Sequence, residues 1–279
     1  MITIVAPAKI NLFLRICGRT DDGYHLLDSA VVFTHFGDHL TIEPAHDDQL
    51  AIIGEFASGL ANVDDNLVMT ALNGFRAAGG VIGGLSITLA KNIPVGAGLG
   101  GGSADAAAFL RAVNALSSMP LGKNALYHLA ASLGADVPVC LAGGCQRIAR
   151  IGETMTPIDL DFAGAILLVN PRIPLSTKEV FTRFTGPTSG FAGSVSNLDA
   201  AGMVRLGNDL TATAVELAPA INSCLDRLAR SKGAIATAMS GSGASCFALF
   251  DHIDNAEIAA IEFKNTGYWA RTSMFYQPD

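Results

Sequence analysis

Five glycines fall within seven positions in the segment Pro94-Val-Gly-Ala-Gly-Leu-Gly-Gly-Gly-Ser-Ala104, which runs into an alanine-rich stretch. Glycines let main-chain N–H groups converge on an anion without Cβ obstruction. A helix start beyond them adds unsatisfied N–H groups and the positive end of a dipole. The chemistry this favours is the cradling of a phosphate; the plainer alternative is a flexible turn. Ser103 stands where it can cap the helix, bond a β-phosphate or ligate Mg²⁺. No GxxxxGK[ST] string occurs, so this is not the loop of a P-loop NTPase. Gly96-Ala-Gly-Leu-Gly-Gly101 satisfies GxGxxG, but Asn92-Ile-Pro94 separates it from the preceding strand. Position 121, where a dinucleotide site wants an acid, is Leu. The HRD and DFG strings of protein kinases are absent.

Other residues could do chemistry, each with a plainer reading beside it. Asp136, between Gly134 and Pro138, reads as a turn or capping residue or as a proton acceptor. Lys9 and Asn11 share one face of an apolar strand, with Ala8, Ile10 and Leu12 on the other; that face is solvent-exposed or functional. Tyr24 and His25 end the polar turn Gly18-Arg-Thr-Asp-Asp-Gly23, as surface groups or as ligand contacts. Gly241, Ser242 and Gly243 form a second glycine turn, structural or anion-binding. His35, His39 and His46 lie close in sequence, but the strand pattern around them argues against a zinc site.

The elements that must position these residues alternate without a regular βαβ rhythm, which predicts an α+β fold. One bent strand or two cover Ile2–Ile16. Further strands are expected at Val31–Phe36, His39–Ile42, Leu50–Ile53, Leu85–Ala90, Gln146–Ile151, Ala165–Val169, Cys246–Phe250 and Trp269–Phe275. Helices are expected at Leu67–Ala78, capped from Asp64-Asp65-Asn66, and at Ser103–Leu116 and Asn124–Ser132. Asn208–Arg230, kinked at Pro219, and Asn255–Phe263 complete the helical set, and residues 189–202 read as loop.

Composition sets the frame. The 279 residues carry 18 basic and 25 acidic side chains, net charge −7, which argues against nucleic acid as the main partner. Hydrophobic residues make up 50% and mean hydropathy is +0.39, yet no run of about 18 uncharged apolar residues could span a membrane. The N-terminal MITIVAPAKINLF lacks the basic region of a secretory signal. Five cysteines without a CxxC pair suggest free thiols, and with them a cytoplasmic location.

Pro94–Ser103, Pro7-Ala-Lys-Ile-Asn-Leu12 and Met239-Ser-Gly-Ser-Gly-Ala-Ser245 resemble, in order and spacing, the three motifs of the GHMP kinases. Ala6–Leu12, Asp22-Gly-Tyr-His25 and Gly134-Ala-Asp-Val-Pro138 resemble the branch that phosphorylates a cytidine diphosphate methylerythritol, in the non-mevalonate route to isoprenoid precursors. Ala104 stands where that pattern usually has a second Ser, and Val139-Cys140 where it has bulkier residues.

The resemblance implies a two-lobed fold: an ATP-binding, catalytic lobe over 1–155 and a substrate-binding lobe over 156–279. It implies ATP and Mg²⁺ as cofactors and a small alcohol as acceptor. Residues Pro94, Val95, Gly96, Ala97, Gly98, Leu99, Gly100, Gly101, Gly102, Ser103 and Ala104 would bind ATP. Asp136 would be the catalytic base, with Lys9 paired to it. Asn11 would bond the polyol, Tyr24 and Phe181 sandwich the cytosine, and His25 bond its edge. Thr177 would bond nearby, and Gly241, Ser242 and Gly243 would lie beside the substrate phosphates. Asp105 is left to favour the helix dipole only. The Asp22–His25 string argues against homoserine or mevalonate as acceptor, and retention of Lys9 and Asp136 argues against a non-catalytic binding relative.

Overall fold

A computed structural model describes residues 1–60 and 66–276. In chain order the elements are β1 (Ile2–Arg19), β2 (His25–Ala45), β3 (Gln49–Ile53), α1 (Leu67–Ala77), β4 (Gly84–Ala90), α2 (Gly101–Leu116), α3 (Lys123–Leu133) and α4 (Val137–Ala142). There follow β5 (Gln146–Arg150), β6 (Thr154–Pro157), β7 (Ala165–Asn170), α5 (Thr177–Arg183), α6 (Ala200–Val204), α7 (Thr211–Leu217), α8 (Ala220–Ala229), β8 (Ala234–Met239), β9 (Cys246–Phe250), α9 (Ile253–Lys264), β10 (Trp269–Ser273) and β11 (Phe275–Tyr276). The class is α+β, as expected.

The chain divides into two compact units, residues 1–8, 37–95 and 100–142, and residues 9–36, 96–99 and 143–279. This is not a single cut near residue 155. β1, β2 and the glycine loop each supply residues to both units, because two long strands carry the chain from one to the other.

In the first unit, β4 pairs antiparallel with the second half of β2 and parallel with β3. Alternation buries Leu85, Ile87 and Leu89 of β4. The two strands expected at Val31–Phe36 and His39–Ile42 are one, β2. Gly37 does not break it; the backbone of Ala6 and Pro7 leaves no room there for a Cβ. α1 starts at the cap Asn66, whose side chain accepts from Val68 N at 2.9 Å, and it buries Val68, Ala71, Leu72 and Phe75 at helical spacing. Asp64 and Asp65 lie outside the described residues.

In the second unit, the first half of β2 pairs with β5, β5 with β6, and β11 with β2. A separate four-stranded sheet runs β10-β7-β9-β8, antiparallel throughout. All six residues of β7 are buried, which explains its unbroken apolar run. Phe250, Phe263, Ile221, Leu228 and Cys224, all fully buried, belong to the core between this sheet and its helices. Burial of each large apolar side chain contributes about 1.5–3 kcal/mol. Asn208–Arg230 is two helices, α7 and α8, since Ala218-Pro219 ends the first and starts the second. α5 and β8 form where no element was expected, and α6 begins at Ala200, inside the stretch 189–202 read as loop, because Asp199 caps it by accepting from Gly202 N at 2.6 Å.

Candidate active site

The second unit gathers most of the predicted residues. Lys9 is 5% and Asn11 2% exposed, so that face of β1 is not the solvent face. Lys9 N donates to Leu99 O at 2.9 Å, laying β1 beside residues 96–99 of the glycine loop. Asn11 Nδ2 donates to Ser29 Oγ at 2.8 Å, and Asn11 N to Ser240 Oγ at 3.2 Å. Asn11 Oδ1 is buried with no partner. A buried acceptor left unpaired costs about 1–3 kcal/mol, which a ligand hydroxyl would recover.

The two glycine turns hold one another. Ser245 N donates to Ala97 O at 3.1 Å and Ser240 Oγ to Gly98 O at 3.0 Å. Gly98 has φ +74°, and a Cβ on it would run into Ser240 O. Gly96, at φ +64°, faces open space. The second turn is tied down by residues that no local pattern singles out. Asn208 Nδ2 donates to Met239 O at 2.9 Å and Gly241 O at 2.8 Å, and Asn170 Nδ2 to Ser245 Oγ at 2.9 Å. Thr177 Oγ1 and Ser242 Oγ are 2.8 Å apart, which brings α5 to the turn.

His25 packs among aromatic rings. Its Nε2 lies 3.1 Å from Phe181 O. A carbonyl only accepts, so Nε2 carries the proton and Nδ1 is a lone-pair acceptor, buried and without a partner. Burial lowers the pKa of this imidazole and nearby Arg19 lowers it further, against the opposing pull of the Phe181 carbonyl. The ring sits 5.4 Å from Phe181 and 5.8 Å, edge-on, from Phe184, a contact absent from the sequence reading. Tyr24 is 64% exposed; Thr20 holds its backbone, accepting from Tyr24 N at 3.0 Å.

The first unit carries Asp136, Pro94, Val95 and residues 100–104. Asp136 lies on the turn after α3, as expected, closed by Val137 N donating to Gly134 O at 3.1 Å, but Pro138 beyond it does not break a helix. Asp136 also stands at the start of α4, where Cys140 N donates to Asp136 O at 3.1 Å, and Pro138 is tolerated because a first-turn N–H has no helical partner. Arg111 Nη1 donates to Cys140 O at 2.7 Å at the other end of that helix. α2 starts at Gly101, with Gly100 as a left-handed cap, so Ser103 does not cap it. Asp105 does not serve the dipole from the first turn. It is 2% exposed and accepts from Lys91 Nζ at 2.6 Å, while Lys91 also donates to Asp38 Oδ2 at 2.5 Å. Burial raises the Asp105 carboxyl to about 8, Lys91 opposing and Asp38 adding to the rise.

Residues 66–144 match the family described as GHMP kinases N terminal domain, and residues 194–268 match GHMP kinases C terminal. Fold and glycine turns thus define a GHMP kinase, an ATP-dependent small-molecule kinase. Two proteins named 4-diphosphocytidyl-2-C-methyl-D-erythritol kinase are close relatives. That of Paramagnetospirillum magneticum is 41% identical over 93% of each chain. That of Brucella abortus is 43% identical over 96% of this chain and 93% of its own. A crystal structure of 4-(cytidine 5'-diphospho)-2C-methyl-D-erythritol kinase superposes with a TM-score of 0.83 at 32% identity, covering 99% of this chain and all of that one. The chain belongs to the 4-diphosphocytidyl-2-C-methyl-D-erythritol kinase family.

Proposed function

We propose that the chain transfers the γ-phosphoryl group of ATP to the 2-hydroxyl of 4-diphosphocytidyl-2-C-methyl-D-erythritol, giving the 2-phosphate and ADP in the non-mevalonate route to isoprenoid precursors. The observation that carries this is His25. Its Nδ1 is a buried, unpartnered acceptor, flanked by aromatic rings and held in one tautomer by Phe181 O. Cytosine offers an amino donor at the matching edge position and uracil a carbonyl oxygen. Tyr24 and Phe181 supply π faces for the ring.

In this reading Asn11 Oδ1 accepts from a hydroxyl of the polyol. Thr177, Ser242 and the Gly241 N–H face the substrate's diphosphate, while the Gly243 N–H closes the turn by donating to Ser240 O at 3.0 Å. Residues 94–104 cradle the ATP phosphates, helped by the free N–H groups at the start of α2. Asp136 takes the proton of the 2-hydroxyl, and Lys9 stabilises the charge growing on the attacking oxygen. The open space over Gly96 and the N–H groups at the start of α2 suit a nucleotide phosphate. A single hydroxyl, Ser103, suits a Mg²⁺ held chiefly by the nucleotide itself. When bound, Mg²⁺ would neutralise phosphate charge. No helix among the described residues is long and apolar enough to cross a membrane. The five free cysteines support a cytoplasmic site of action.

ADP release measured with a panel of the cytidine diphosphate alcohol, homoserine and mevalonate tests the proposal. Turnover is expected with the first alone; preference for either of the others contradicts it. Gly96→Val tests the loop. A β-branched residue forced to positive φ costs about 1–2 kcal/mol, so ADP affinity should fall about 5- to 30-fold in a folded protein. Unchanged calorimetric affinity would mean that the loop is not the phosphate cradle.

A further inference from the structure

The buried cluster of Lys91, Asp38 and Asp105 is not used by the mechanism above, yet it grips both ends of the glycine loop. Lys91 directly follows β4, three positions before Pro94, and Asp38 Oδ1 accepts from Asn92 N at 2.5 Å and Ile93 N at 2.9 Å. Asp105 lies one turn into α2, just past the loop. The ammonium of Lys91 joins these two ends, with side-chain exposures of 3% for Lys91, 0% for Asp38 and 3% for Asp105. Such a cluster is a poor investment for stability alone, since apolar residues of the same volume often serve as well or better. Its geometric effect is specific: the eleven residues 94–104 are strung between two anchors tied to one nitrogen.

We propose that Lys91, bridging Asp38 and Asp105, is a positioning device that pre-organises the loop for the nucleotide phosphates. Without it the loop would still exist, but its N–H groups would have to be ordered by the ligand, and affinity would fall. This rests on the reading of the loop as the ATP cradle.

The test is Asp105→Leu, close in volume, which leaves the neutral Lys91–Asp38 pair and frees the α2 end. Asp105→Asn keeps an acceptor for Lys91 and is the conservative control. Asp105→Leu should weaken ADP about 10- to 100-fold by calorimetry, the scale on which small misplacements act. The KM for ATP should rise with it. The melting temperature, the KM for the alcohol and kcat at saturating ATP should change far less. Asp105→Asn should bind ADP as the wild type does. Wild-type ADP affinity in folded Asp105→Leu overturns the proposal, as does equal weakening in Asp105→Asn. If Asp105→Leu does not fold, Asp105→Ala carries the same expectation; failure of both to fold assigns the cluster to the fold and also overturns it. Gly96→Val separates the two ideas. Weakening there with none in Asp105→Leu rejects only the clamp, whereas normal ADP binding in Gly96→Val rejects the cradle itself.

Discussion

Asp136→Asn should lower kcat by about 10²- to 10⁴-fold while ADP affinity stays near that of the wild type. The substitution keeps the shape of the side chain and removes the proton acceptor, and general base catalysis is typically worth that factor. The local structure favours a clean result. The Asp136 carbonyl, not its carboxylate, accepts the first helical bond of α4, and Arg111 holds the far end of that helix. A melting temperature unchanged from the wild type would assign a loss of turnover to the missing base. Single-turnover measurement of the chemical step checks it; a variant retaining most of the wild-type rate would show that Asp136 is not the base.

Tyr24→Ala and His25→Ala should fail in different ways. A stacked base gains roughly 1–3 kcal/mol from each π face. Tyr24→Ala should thus raise the KM for the cytidine substrate about 5- to 100-fold, with little effect on the KM for ATP and little gain for a uridine analogue. In the proposed reading, His25→Ala removes the acceptor that tells an amino group from a carbonyl oxygen. It should narrow the ratio of kcat/KM between cytidine and uridine forms rather than merely weaken both. The pH dependence follows from the same nitrogen. Nδ1 accepts only while His25 is neutral, and burial lowers its pKa below the ordinary imidazole value of about 6.5. The KM for the cytidine substrate should be lowest above neutral pH and rise on acidification with a midpoint below about 6.5, as the folded-state histidine gains its proton. A rise already complete at pH 6.5 would contradict this, as would an unchanged cytidine KM in Tyr24→Ala.

The sequence made the glycine loop, the turn before Tyr24 and the second glycine turn legible, because each is punctuated by local residue choice. Whatever depended on a distant partner was hidden. Asn208 holds Gly241 from 33 residues away, and nothing in Gly207-Asn-Asp209 hints at it. Lys91 reads as an ordinary lysine at a strand end until Asp38, 53 residues earlier, is seen to meet it. Proline misled once: Pro138 suggested a break, where a first-turn proline starts α4. α5 was missed for want of periodicity, since Val180 is its one buried residue among seven and its start depends on Ser176, which accepts from Glu179 N at 3.3 Å. The strand through Gly37 reads as two because glycine weakens a strand on propensity alone, while the close approach of Ala6 requires glycine there.

The most direct measurement is ATP consumption by the purified protein, with kcat/KM compared for the cytidine diphosphate alcohol and its uridine counterpart. A site whose buried acceptor must meet an amino group should reject the carbonyl isostere strongly, by about 10⁴-fold where edge recognition is strict. Robust turnover of the cytidine form with the uridine form lower by orders of magnitude is the predicted result. Equal use of the two, or no ATP-dependent turnover of either, would contradict the account.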